Sequence, residues 1–209
     1  SYSPDKAAAL WERFRRNGTW VVPTLYSISK LAPQHIAPEM QANDAQLELV
    51  PQTLRKQWNP LAPENQVSEE DGQWWTRQLA NDTKLTREMH RAGVAMLAGS
   101  DSLDRFVFAG SSLHGEMESL ERAGFTPMEA LQAATRDAAR FLGRENELGT
   151  IAPGLRADMV LLDADPLKTI RNTTKIFAVV RAGAYLDRAA LDALLLEAKD
   201  AAKSASVKE

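Results

Sequence analysis

An α/β protein with parallel strands is what this chain predicts, on three observations. A helix, a glycine and a short β-rich run follow one another twice, over residues 3–25 and again over 68–98. Each run is mostly apolar and ends in polar residues, as parallel strands buried on both faces do. The second leads from apolar residues 95–98 through Gly99-Ser100 to Asp101, whose carboxylate then sits at the C-terminal mouth of a strand, where ligands bind.

The elements follow in order. Residues 3–17 read as a helix: Ser3 can cap it, Pro4 suits its first turn, Ala7, Leu10, Trp11 and Phe14 form its apolar stripe, and Gly18 stops it. The run 19–25 is a strand that Pro23 brings to an end. Pro33, Pro38, Pro51, Pro60 and Pro63 then break an excursion over 26–68, with a short helix expected across 39–49. A connection of this length is either a lid or substrate loop, or a poorly ordered surface segment. Ser68 followed by Glu69, Glu70 and Asp71 opens a long helix to Arg91, which Ala92-Gly93 ends before a strand over 94–98. An irregular stretch, 102–110, precedes a helix over 112–123. Thr126, Pro127 and Glu129 have the spacing of a capping box opening a further helix to Leu142. Beyond Gly143 the pattern becomes β, with strands at 158–163 and 176–181 and a turn at Ala182-Gly183. A final helix opens at Asp187-Arg188; its leucines Leu191, Leu194 and Leu195 need a surface, and residues 202–209 read as a frayed tail.

Composition narrows the function. Of 209 residues 44% are hydrophobic and 25% charged, ordinary for a globular protein able to bury a core. The net charge is −3 with both signs interspersed, so no basic stretch is available to neutralise a row of phosphates, and nucleic acid is not an expected partner. No run approaches the ~20 apolar residues that span a bilayer, so a membrane is not expected either. The first residues lack a basic-then-apolar leader pattern, and the compartment stays open, with the cytoplasm favoured. Cysteine is absent, which removes disulfides, thiolate metal sites and cysteine nucleophiles; a metal site built here must draw on carboxylates and on His35, His90 and His114.

The run Glu147-Leu148-Gly149-Thr150-Ile151-Ala152-Pro153-Gly154-Leu155-Arg156-Ala157-Asp158-Met159-Val160-Leu161-Leu162-Asp163, after Phe141-Leu142-Gly143, resembles the carboxy-terminal signature of the amidohydrolase superfamily of metal-dependent hydrolases. Within it, His114-Gly115-Glu116 followed by Ala123-Gly124-Phe125-Thr126-Pro127-Met128-Glu129-Ala130-Leu131 is similar to the imidazolonepropionase-like and prolidase-like branch. The resemblance implies an α/β fold comprising the last two βα units of a (β/α)8 TIM-like barrel, part of a small β-sandwich and a C-terminal helix. Residues 19–25 would be strand seven and 94–98 strand eight, dividing the chain into barrel (1–143), composite sandwich (144–186) and terminal helix with tail (187–209). Asp101 would be the aspartate after strand eight that binds metal and moves protons. The cofactor implied is a divalent metal, zinc first, as one or two ions.

The family's His-x-His pair is absent, and a full barrel needs roughly 250 residues. The resemblance therefore implies that most metal ligands, and the N-terminal part of the barrel, lie outside this chain. Physics points the same way. Two parallel strands alone leave open edges, and each unsatisfied buried backbone group costs about 1–3 kcal/mol.

Each site candidate has a bland alternative. Asp101 is a metal ligand and proton carrier, or an Asx turn or cap. His114 contacts a substrate carboxylate or developing oxyanion, or caps its helix. Tyr26, after the first strand, and Arg105, in the loop after Asp101, meet substrate or serve the surface. His90 belongs to its helix terminus, and His35 is a lid or surface residue. Glu116 and Glu118 read as helix-surface or bracing charges, and Trp74-Trp75 as barrel-facing packing. No phosphate-cradling glycine loop and no Gly-x-Ser-x-Gly elbow is present. The expected activity is hydrolysis of an amide, peptide or cyclic-imide C–N bond in a small or peptide-like substrate, by a longer protein; the 209 residues alone would be inactive. The rival is a non-catalytic remnant serving as an interaction or oligomerisation module, for which a homo-oligomer is one form.

Overall fold

Residues 2–32, 38–102 and 104–205 are described by the structure, a computed structural model. Helix α1 (Pro4–Arg16) starts at Ser3, with Pro4 in its first turn, although the Ser3 side chain makes no capping bond. Strand β1 (Trp20–Val21) lies parallel to β2 (Ala95–Met96), with Trp20 opposite Ala95 and Val21 opposite Met96. Both are shorter than the pattern predicts. Pro23 has no donor and Thr24 turns into the left-handed region at φ 50°, so Leu25 begins helix α2 (Leu25–Leu31) where a strand end was expected. The second run stays bonded beyond its ladder: the Leu97 amide donates to the Val21 carbonyl at 3.0 Å, and the Ala98 amide to Ala133 at 3.2 Å.

The described part of the excursion is folded. It contains α3 (Pro38–Ala42), a 3-10 turn (Ala45–Leu49) and α4 (Gln52–Trp58). Val50 and Trp58 bury against Phe106 and Phe108, whose rings each lie 6.0 Å from the Trp58 ring. The excursion therefore packs onto the loop that follows Asp101. Helix α5 (Glu69–Arg91) opens as its capping residues predict, with the Ser68 hydroxyl accepting from the Asp71 amide at 3.1 Å. Trp74 departs from the expected packing: it is exposed, because neighbours on a helix point about 100° apart and only one of two can face inward.

Helix α6 (Ser112–Ala123) is the centre of the main core. Met117, Leu120 and Ala123 meet Leu25, Met96, Phe125 and Ile170 there. The capping box forms at α7 (Pro127–Ala134), with the Thr126 amide donating to Glu129 Oε2 at 2.7 Å and the Thr126 hydroxyl accepting from the Glu129 amide at 3.2 Å. The single helix expected to Leu142 instead breaks at Thr135 (φ −132°, ψ −87°) before α8 (Arg136–Phe141). Gly149 (φ 96°) presses into that break. A Cβ on it would lie 2.5 Å from the Ala139 Cβ and 3.1 Å from the Thr135 carbonyl oxygen.

A separate antiparallel sheet runs in the order β3 (Met159–Leu162), β4 (Ile176–Arg181), β5 (Ala184–Leu186). Ala182 (φ 49°) and Gly183 (φ 83°) are both left-handed between the paired Arg181 and Ala184, which makes the expected turn a two-residue hairpin of the I′ kind. Strand β5 itself is not evident in the sequence pattern. Helix α9 (Arg188–Ser204), capped by Asp187, lies against the 3-10 turn of the excursion, where Lys199 pairs with Glu48 at 2.6 Å. It continues through residues 202–204 of the stretch read as frayed, whose last four residues lie outside the described ones. Leu191 is partly covered, but Leu194 and Leu195 stay exposed, so the surface those leucines call for is not supplied.

Candidate active site

Asp101 lies five residues beyond the end of β2 at Met96. Its backbone is left-handed (φ 54°), and its carbonyl accepts the Asp104 amide at 3.2 Å. The side chain is exposed and, among the described residues, has no hydrogen-bond or ion-pair partner. The helix-cap alternative is not realised, since α6 begins at Ser112 with Ser111 in its N-cap position.

The next carboxylate is used internally. Asp104 accepts from the Ser27 hydroxyl at 3.0 Å and from the Arg105 amide at 2.8 Å, tying the loop to α2. Arg105 is partly exposed in this loop.

Tyr26 and His114 come together. They line one cavity of about 650 Å3, with Gln46 from the excursion, Glu118 and Arg122 from α6 and Thr174 ahead of β4. Asp101 and Arg105 are not among its lining residues. Tyr26 stands in the first turn of α2, not at a strand end, and Lys30 lies 4.7 Å over its ring. The Thr173 hydroxyl donates to the Ile170 carbonyl at 2.8 Å, so at 2.9 Å from His114 Nδ1 it can only accept. The proton then sits on Nδ1, and Nε2 is left as an acceptor. Burial lowers the His114 pKa below its ordinary value, with Glu118 opposing, which favours this neutral form.

Other candidates find structural work. The His90 ring stacks on Phe125 with centroids 3.8 Å apart, and its Nε2 lies 3.3 Å from Glu129, bracing α5 against α7. Glu118 is reached by Arg171 at 3.3 Å and Arg122 at 3.8 Å. His35 lies outside the described residues. Of the two readings of Glu116, a helix-surface charge or a bracing charge, the second fits: it is 0% exposed, and its Oε2 accepts the Tyr26 amide at 2.7 Å. Burial pushes its pKa up to about 7, against the amides of Tyr26, Leu25 and Thr24 and the charge of Arg122. A sequence signal existed, since 116, 120 and 123 repeat at the i, i+4, i+7 spacing of a buried helix face.

Asp101 offers the hard oxygen that divalent cations prefer, so its chemistry fits the metal that the resemblance implies. Among the described residues, however, no group of three or more His, Cys, Asp or Glu side chains gathers to complete a coordination set.

The family model described as "Amidohydrolase family" matches residues 15–184. The chain is 35% identical over 96 residues to a 5-methylthioadenosine/S-adenosylhomocysteine deaminase of Symbiobacterium thermophilum, 42% of this chain and 22% of that protein. It is 44% identical over 68 residues to an imidazolonepropionase of Rubrobacter xylanophilus, 31% of this chain and 16% of that protein. Among solved structures, a bottromycin amidohydrolase superposes with a TM-score of 0.69 at 26% identity, over 88% of this chain and 40% of that one. A putative prolidase from Bifidobacterium longum gives 0.58 at 26%, over 86% and 39%. The chain thus spans about a fifth of these curated relatives and about two fifths of these solved structures.

Proposed function

Because the chain belongs to the amidohydrolase family, we propose that it contributes one carboxylate and part of a substrate wall to an enzyme that hydrolyses an amide, peptide or cyclic-imide C–N bond with an activated water. The observation that carries this reading is Asp101, exposed, without a side-chain partner among the described residues, and held in a left-handed corner five residues beyond β2. The names amidohydrolase and deaminase among similar proteins favour a C–N bond as the one broken.

In this reading Asp101 accepts the proton that water loses as its oxygen bonds to the carbonyl carbon. It returns that proton to the nitrogen as the C–N bond breaks, leaving a carboxylic acid and an amine. A divalent cation, zinc being the first expectation, would be held by Asp101 together with ligands outside the described residues; when bound it supplies Lewis acidity that brings the pKa of water to about 7. Tyr26 and His114 form the wall against which the substrate lies, and Arg105, in the loop after Asp101, reaches an anionic group on it. The direct test is Asp101→Asn in the longer protein that supplies the remaining ligands, a change that keeps size but loses the base. Loss of turnover on a panel of dipeptides and N-acyl amides is expected, and full turnover would overturn the role.

A second reading has its own observation. Val160, Phe177 and Tyr185 on the three-stranded sheet and Leu194, Leu195 and Leu196 on α9 are all exposed, as a surface that packs on another protein or on a second copy would be. Stoichiometric zinc binding by the purified chain would count against that module.

A further inference from the structure

Helix α2 begins without a cap of its own. Thr24 occupies its N-cap position in the left-handed region, and the Thr24 side chain makes no capping bond. The missing acceptor arrives from ninety residues away: Glu116 Oε2 takes the Tyr26 amide at 2.7 Å, and the amides of Leu25 and Thr24 face the same carboxylate. The neighbouring residue receives the ring. A Cβ on Gly115 would lie 2.1 and 2.2 Å from Tyr26 Cε2 and Cδ2, so the phenol lies in a notch that only glycine leaves open. One dipeptide on α6 therefore holds Tyr26 by its backbone and by its ring. His114, directly before it, lines the same cavity.

We propose that Gly115-Glu116 is a clamp that fixes Tyr26 as a rigid wall of the substrate cavity, with Glu116 as a positioning residue that never touches substrate. The inference rests on the reading that Tyr26 faces substrate. The carboxylate is an expensive choice for a buried position: Glu116 Oε1 has no hydrogen-bond partner among the described residues, and an apolar side chain would fill the same space without that cost. What the carboxylate adds is an acceptor for a corner that cannot cap itself.

Amide hydrogen exchange measured by NMR on the full chain tests the clamp without requiring any substrate. In Glu116→Met, which fills the space and removes the acceptor, protection of the Tyr26 amide should fall about tenfold or more while the Leu120 amide stays protected. In Glu116→Gln, whose amide oxygen still accepts, Tyr26 protection should be kept within about threefold of wild type. Gly115→Ala should displace the Tyr26 ring resonances with Glu116 untouched. Unchanged Tyr26 protection in folded Glu116→Met, or unmoved ring signals in Gly115→Ala, would overturn the clamp. If Glu116→Met fails to fold, Gly115→Ala decides alone by the same criterion. Kinetics then separate the clamp from the reading beneath it. With both intact, Gly115→Ala raises KM with little change in kcat; a displaced ring with unchanged KM leaves the clamp standing and removes Tyr26 from the substrate wall.

Discussion

Glu116 shows what a single buried carboxylate does to the pH dependence of the fold. Its pKa is raised to about 7 from an ordinary 4.5, because burial outweighs the backbone amides that face it. A raised carboxyl pKa means that the protonated form suits the folded state. Its favourable contribution is complete below the unfolded pKa and is lost as pH rises through about 7. With roughly 1.4 kcal/mol per pH unit, wild type should lose about 3 kcal/mol relative to Glu116→Gln between pH 4 and pH 8. Urea unfolding of both proteins across that range checks it; a difference that does not change with pH contradicts the burial argument. At this scale the sequence was legible where chemistry is local. Thr126 and Glu129 form the capping box their spacing predicts. Partners distant in sequence were not legible: nothing near Tyr26 tells that its amide meets Glu116 or that its ring lies over Gly115.

Among elements, the excursion after α2 and the loop after Asp101 share a core made of Val50, Trp58, Phe106 and Phe108. Trp58→Ala should cost about 3–5 kcal/mol. It should also raise hydrogen exchange together in the Gln52–Trp58 helix and in the 104–110 loop, because each is held by the other. Exchange confined to the helix would show that the loop stands independently. Gly149 makes a second test: its Cβ would meet Ala139 at 2.5 Å and its φ is 96°, so Gly149→Ala should destabilise by about 1–3 kcal/mol in thermal or urea unfolding. A neutral substitution would mean that the Thr135 break is not packed as described. Helix boundaries with local caps agree with their sequence signals at Ser68, Thr126 and Asp187. The disagreements have tertiary causes. The break at Thr135 depends on a glycine fourteen residues away, and the two-residue ladder of β1 and β2 ends where Pro23 and the Thr24 corner take the chain off the strand.

For the whole molecule, residues 15–184 match the amidohydrolase family, and the parallel pair that leads to Asp101 is laid down with the register that brings Trp20 and Val21 beside Ala95 and Met96. The cavity of Tyr26 and His114 is built from the excursion, α6 and the segment before β4, so it exists only when those three pieces are assembled. The central claim is that Asp101 carries the proton of a hydrolytic reaction and takes part in holding a divalent cation. The most direct measurement is kcat for amide hydrolysis by the longer protein that supplies the remaining ligands, as wild type and as Asp101→Asn, with zinc content determined on both. Loss of the base alone should lower kcat by about 10²–10⁴-fold, with bound zinc reduced as well; an Asp101→Asn protein with wild-type kcat and zinc content would contradict it.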